Sequence, residues 1–513
     1  MKWSLGPLRR PALSLRLPAP TLPRAIPLQV TALVSVLLLA VPALVLLRMP
    51  RPRAEGLGRL LPHAGLLQSF PAAPERQPPP LWQQRLDAPT ARLLWRQQRQ
   101  LWWQFWSHDQ AGGAYLVMPL PRQVRLGSLS TPPHSLQIDG LLVVSSGPLA
   151  RQFLQEQLVQ ASRRQQGLQL RCLQLLQSQP GAYWSRQGLE AMGGPMAPLL
   201  HSLQEGCVAL ELAPGDLLFG GEAASAVASR SLAPLPPPPP LPAAADLPPP
   251  IGEGLLLRLS GRSLEALLAG LLDRAPVREA VQSVYGLGED QLALLLNTPF
   301  ELRLRPRLAG PFQAGLELVL PVQGDPAAWT AILEALSQRL RARALVDTPA
   351  LAEQPEQPES PAPAAAGLPA VTWRDAQGRE VGGWRWLAAA GRPLQLLLFL
   401  GPEPAAITSG EDDPTAAGAG AAGAGGRRPL LRLQARPRAL AALNLLPGQL
   451  PLPLLQSRQL LLLADDGPPA EEQPAGGAGI SRLLGRLQLG KPLPIQPGTQ
   501  PPAVASPPEP PPP

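Results

Sequence analysis

Residues 231–250 (SLAPLPPPPPLPAAADLPPP) are half proline, five of them consecutive. Proline fixes φ and has no backbone N–H, so neither a helix nor a central strand runs through such a stretch. It favours an extended polyproline rod instead. Whatever folds on either side must do so as separate runs of chain. Further Pro-, Ala/Gly- or acid-rich stretches lie at 349–366, 402–428, 465–479 and 492–513. None has the apolar periodicity needed to bury a core. The chain holds 70 Pro and 47 Gly in 513 residues, about twice the ordinary share.

Between these joints the chain can still form cores, since 45% of it is hydrophobic and only 16% charged. That excludes a highly charged disordered protein. The net charge of +8 is confined to residues 1–60, where Lys2, Arg9, Arg10, Arg16, Arg24, Arg48, Arg51, Arg53 and Arg59 face a single acid, Glu55. The rest of the chain is neutral overall. No basic face is left for a nucleic acid, and no nucleic-acid partner is expected.

Residues 28–47 (LQVTALVSVLLLAVPALVLL) carry no charge. A helix of this length spans about 30 Å, the hydrocarbon thickness of a bilayer. Arg24 and Arg48 bracket it. The expectation is a single-pass protein held in the cell membrane through 28–47, with a cytoplasmic basic tail (1–26), a transmembrane helix (27–48) and an extracytoplasmic remainder. The nearer rival is a cleaved signal peptide.

The remainder divides into a Pro-rich stalk (49–80), a first α+β lobe (81–230) and the polyproline linker (231–250). A second lobe (251–400), an Ala/Gly insert (401–428), the rest of that lobe (429–490) and a Pro-rich tail (491–513) follow. The expected fold class is α+β, with two similar mixed lobes after one membrane helix. Strands are expected at 114–120, 136–145, 255–259, 300–305, 312–320, 371–375, 381–387 and 394–400. Helices are expected at 149–163, 263–272, 276–285, 289–296 and 325–341. Residues 256–272 (LLRLSGRSLEALLAGLL) echo 430–446 (LLRLQARPRALAALNLL), aligning Arg258 with Arg432 and Arg262 with Arg436.

The order of segments over 255–341, with YGLGEDQLALLLNTPFELRLRP and then PVQGDPAAWTAILEALSQRL, resembles the bacterial DUF3352 group. The resemblance implies a membrane-anchored protein of unknown function with a repeated α+β region. It brings no catalytic residues.

The sequence is sparse in chemistry. Cys172 and Cys207 read equally well as one disulfide, which an oxidising compartment would permit, or as two buried thiols. His63, His108, His134 and His201 lack metal-ligand spacing, and no cofactor is expected. Residues 418–423 (GAGAAG) match GxGxxG only as low complexity, with no strand before them or helix after. The acidic runs Glu411–Asp413 and Asp465-Asp466 read as solvated linker.

The segment 87–106 (DAPTARLLWRQQRQLWWQFW) reads as one helix capped by Asp87. It either covers the sheet of the first lobe or lies at a membrane interface through Trp95, Trp102, Trp103 and Trp106; the core reading is preferred. The functional expectation is an extracytoplasmic binding or scaffolding region without catalytic activity, with protein partners at the Pro-rich linkers or lobes. The alternatives are an envelope hydrolase drawing on His108, Asp109, His134, Asp139 and His201, or a carrier of an apolar ligand.

Overall fold

The computed structural model describes residues 54–108, 113–120, 134–159, 165–225, 228, 241, 247–307, 312–322, 325–343, 345–349, 369–388, 393–404, 429–446, 450, 452–466 and 479–490. One arrangement, a strand, then helices, then two further strands, recurs four times among them. After α1 (Leu57–Leu60), the first copy is β1 (Ala64–Phe70), α2 (Pro80–Leu86), α3 (Ala88–Arg96), β2 (Trp102–Ser107) and β3 (Ala114–Pro119). The hairpin β4 (Ser135–Ile138) and β5 (Leu141–Val144) follows, then α4 (Pro148–Val159) and α5 (Gly167–Ser178). The second copy is β6 (Gly181–Trp184), α6 (Arg186–Gly193), a 3-10 helix (Gly194–Leu203), β7 (Glu205–Ala213) and β8 (Asp216–Ala224).

The third is β9 (Leu257–Gly261), α7 (Glu265–Leu272), α8 (Ala275–Tyr285), α9 (Glu289–Leu296), β10 (Phe300–Pro306) and β11 (Ala314–Pro321). After it come α10 (Pro326–Arg341), β12 (Val346–Pro349), β13 (Ala370–Arg374), β14 (Glu380–Leu387) and β15 (Gln395–Leu400). The fourth copy is β16 (Leu431–Ala435), α11 (Pro437–Ala442), α12 (Leu452–Gln456), β17 (Gln459–Asp466) and β18 (Ile480–Gln488). The echoed segments 256–272 and 430–446 thus hold β9 with α7 and β16 with α11.

All pairings are antiparallel and join the strands into one 18-stranded sheet. Across its first half the order is β4–β5–β3–β2–β1–β6–β7–β8. It continues β18–β17–β16–β9–β10–β11–β15–β14–β13–β12. The first two copies meet through their opening strands, β1 and β6, as do the last two through β9 and β16. The second and fourth meet through their closing strands: β8 and β18 pair in register from Asp216–Gln488 to Ala224–Ile480. The two halves of the chain are thereby related by an approximate two-fold at this central pair.

Local sequence accounts for the element ends. The Asp87 carboxylate accepts from the Thr90 N–H at 2.8 Å and caps α3, with Pro89 in its first turn. Asp325 does the same for α10 by accepting from the Ala327 N–H at 2.9 Å. The predicted strand 136–145 is instead a tight hairpin, because Asp139 and Gly140 both take positive φ (47° and 84°), as a two-residue Asp-Gly turn requires.

Helices cover the first half of the sheet on both faces. On one, Leu154, Leu168, Cys172 and Leu176 pack over Leu67, Phe105, Tyr115 and Val143. On the other, Trp82, Leu86, Leu94 and Trp95 pack over Trp102, Leu116, Met118 and Val144. In the second half, Leu264, Leu267, Trp329 and Leu333 cover one face, over Phe300, Leu320, Trp384 and Leu396.

Several expectations need correcting. The fold class is not two lobes behind a membrane helix but one continuous antiparallel sheet with helices, since β8 and β18 close the gap the linker seemed to open. The expected span at 28–47 lies outside the described residues; contrary to the expected single-pass transmembrane architecture, no helix among the described residues is long and apolar enough to cross a membrane. The stalk at 49–80 gives way from Ala54 onward to core, with Leu57, Leu60, Leu61 and Leu67 at 2% exposure or less. The single helix over 87–106 ends at Arg96, and the chain re-enters as β2. The GAGAAG run and Glu411–Asp413 lie outside the described residues.

Candidate functional site

The charge of the second half is gathered on the face opposite its helices, part of which is covered by the segment that carries Leu247, Pro249 and Ile251. Its strands alternate strictly: LRLSG, FELRLRP, AGLELVLP and LRLQA place Leu on the helix side and charge on the other. Register brings the charged side chains together. Arg258 of β9 stands opposite Arg303 of β10, which stands opposite Glu317 of β11. Arg432 of β16 stands opposite Ser260, two residues along β9 from Arg258.

One carboxylate binds two of these cations. Glu301 Oε1 accepts from Arg258 Nε at 2.7 Å and from Arg303 Nε at 2.8 Å. Burial alone would raise the Glu301 carboxyl, but the guanidiniums of Arg303 and Arg258 outweigh it and hold it below its ordinary range. Glu317, 1% exposed, is engaged by Arg305, whose Nε lies 3.0 Å away. Arg303 is itself 7% exposed. Burial and then repulsion from Arg258 depress the basicity of Arg432, and Glu301 partly restores it. On either side lie small apolar patches, Val319, Leu397 and Phe399 on one and Leu218, Leu247 and Leu461 on the other.

The residues singled out in the sequence do not converge. Cys172 of α5 and Cys207 of β7 form a disulfide with Cα atoms 5.5 Å apart, pinning helix to sheet. Trp95 lies in α3, while Trp102, Trp103 and Trp106 lie in β2, inside the sheet rather than on an interfacial helix. The Trp103 indole N–H donates to the Leu176 carbonyl at 2.8 Å. Asp139 accepts from the Gly56 N–H at 3.0 Å and pairs with Arg59. The His134 carbonyl accepts from Ser145, and His201 lies 3.7 Å from Asp273. Asp109 lies outside the described residues.

One contact has a catalytic look. His108 Nδ1 lies 3.3 Å from Ser185 Oγ, and its Nε2 lies 2.9 Å from the Pro62 carbonyl. Ser185, however, caps α6 by accepting from the Gly188 N–H at 3.2 Å. The second imidazole nitrogen meets a carbonyl rather than a carboxylate. The set fastens the end of β2 to the start of α6. Beside it, burial and then His108 lower the His63 imidazole, while burial and the Glu205 carboxylate push the Tyr183 phenol well above its usual range. Among the described residues no group of His, Cys, Asp and Glu is placed to hold a metal ion.

The sequence reading missed the charged face as a site. Its signal was present in the period-two alternation and in the echo that aligned Arg258 with Arg432. The fold and this face define a fourfold-repeated antiparallel sheet protein with one half left charged on one side. No family model matches the chain, and neither a curated protein nor a solved structure does.

Proposed function

We propose that the chain is an extracytoplasmic binding or scaffolding protein without catalytic activity of its own, and that the charged face of β9, β10, β11 and β16 is its binding surface. The observation that carries this reading is the asymmetry of the second half, whose helices pack on one face while Arg and Glu line the other. The Cys172–Cys207 disulfide, which uses both cysteines of the chain, supports an oxidising compartment. The resemblance of 255–341 to the DUF3352 group read from the sequence bears on location and architecture only.

Two measurements test it. Maleimide labelling of acid-quenched cells should modify neither cysteine until reductant is added; labelling without reductant would place the chain in a reducing compartment. A photo-crosslinker at Ser260 of β9, which stands opposite Glu301 and Arg432, should capture a partner that one at Arg278 of α8 does not. Equal capture at both positions would remove the surface from the account. A second reading, an envelope hydrolase, rests on the His108–Ser185 contact. Under it Ser185→Ala abolishes turnover of a model ester, whereas under the first reading there is no turnover to lose.

A further inference from the structure

We infer that Arg258, Arg303 and Arg432 form a binding site for a phosphate-type dianion. The site deepens the reading of the charged face as a binding surface by naming a ligand class. Register sets three guanidiniums side by side on this face, and among the described residues one carboxylate, Glu301, is bonded to two of them, which leaves an excess of positive charge. Arg305 and Glu317 compensate one another and do not alter this balance.

The hydrogen-bonding account also fails to close. Glu301 takes the Nε–H of both Arg258 and Arg303. Among the described residues, Arg258 Nη2, Arg303 Nη1 and Arg432 Nε are buried without an acceptor. Buried donors that lack a partner are rare in native proteins and call for an unseen acceptor, water or an ion. Water would satisfy the N–H groups but leave the charge. Like charges set directly opposite across a strand pair are unfavourable, and Arg258 faces Arg303 in that way. A tetrahedral oxyanion with two negative charges supplies acceptors in several directions and neutralises the excess. Planar guanidiniums suit it better than ammonium groups. Arg432 stands opposite Ser260, on the same side of β9 as Arg258 and two residues from it, which makes the two guanidiniums diagonal neighbours across the strand pair.

The probe is inorganic phosphate, titrated calorimetrically into the full chain in a phosphate-free, low-salt buffer at neutral pH. One saturable site is expected, weakened at least tenfold in Arg432→Gln, with Arg278→Gln, on the exposed side of α8, unchanged. Glu301→Gln should bind phosphate more tightly, an effect that a merely structural role would not produce. If that variant or one at Arg303 fails to fold, the Arg432→Gln comparison and the melting-temperature rise of the wild-type chain with phosphate decide the matter. Glycerol 3-phosphate provides the second arm: tighter binding than phosphate marks a phosphomonoester as the ligand, and equal binding marks the free ion. Absent saturation, or binding indifferent to Arg432→Gln (an adventitious ion only), overturns the site. Crosslinking from Ser260 could still succeed in that case, so failure of the phosphate site is distinguishable from failure of the binding surface.

Discussion

Arg258 and Arg303 stand directly opposite one another on neighbouring strands, and the Glu301 carboxylate accepts from both. Without it, buried Arg303 and partly buried Arg258 would face each other in the middle of the sheet. Glu301→Gln in phosphate-free buffer should therefore lower unfolding stability by about 3 kcal/mol at neutral pH. Urea denaturation of the two proteins checks this, and equal midpoints would show that the pair contributes nothing.

The same residue sets a pH dependence. A carboxyl held below its ordinary value of 4.5 gives stability that is fully present above that value and is lost as pH falls through the folded-state value. The gap between wild type and Glu301→Gln should hold from pH 7 to about pH 5 and close in more acid solution. Glu222 should behave with the opposite sign. Burial raises its carboxyl despite the Arg171 contact at 2.7 Å and the nearby Arg482. Its contribution is greatest below 4.5 and is lost as pH rises through the folded-state value, so the margin of wild type over Glu222→Gln should widen on acidification. Parallel slopes for the two variants would contradict the assignment.

The Cys172–Cys207 bridge closes a loop with a sequence separation of 35. Reduction, or Cys172→Ser with Cys207→Ser, should cost about 2–4 kcal/mol. Chemical denaturation with and without reductant measures it, and the double variant should be insensitive to reductant.

Gly188 opens α6 against β1 so closely that a Cβ there would collide with the carbonyl of Gly65. Both partners of the collision are backbone, and neither can turn aside. Gly188→Ala should destabilise by at least about 2 kcal/mol and loosen the Ser185–His108 clip. A shift in the His108 imidazole resonance would report the second effect. An unchanged melting temperature would show that α6 does not sit where this packing places it.

Much of the sheet was legible from local pattern. The alternation in FELRLRP and LRLQA marks strands with one charged side, and Asp325-Pro326 marks the start of α10. The segment through Trp102–Ser107 was not, because Leu94, Leu101, Trp102 and Phe105 also satisfy helical spacing. Tertiary pairing with β1 and β3 settles it, placing Trp102 on one face and Trp103 with Phe105 on the other. The joining of β8 to β18 had no local signal. It unites strands on opposite sides of the polyproline segment, and the Gly-rich FGGEAA reads as a weak strand until Leu483 and Leu487 pack beside it. The charged face was missed for a related reason. Arg258, Glu301 and Arg432 come from distant parts of the chain, and only the register makes them neighbours.

The continuity of the sheet through β8 and β18 is tested most directly by amide hydrogen exchange of the full chain, followed residue by residue. The β8 and β18 amides should exchange as slowly as those of β1 and β9, through global unfolding alone. Rapid exchange in both strands, with β1 and β9 still protected, would show two separate lobes and contradict the single sheet.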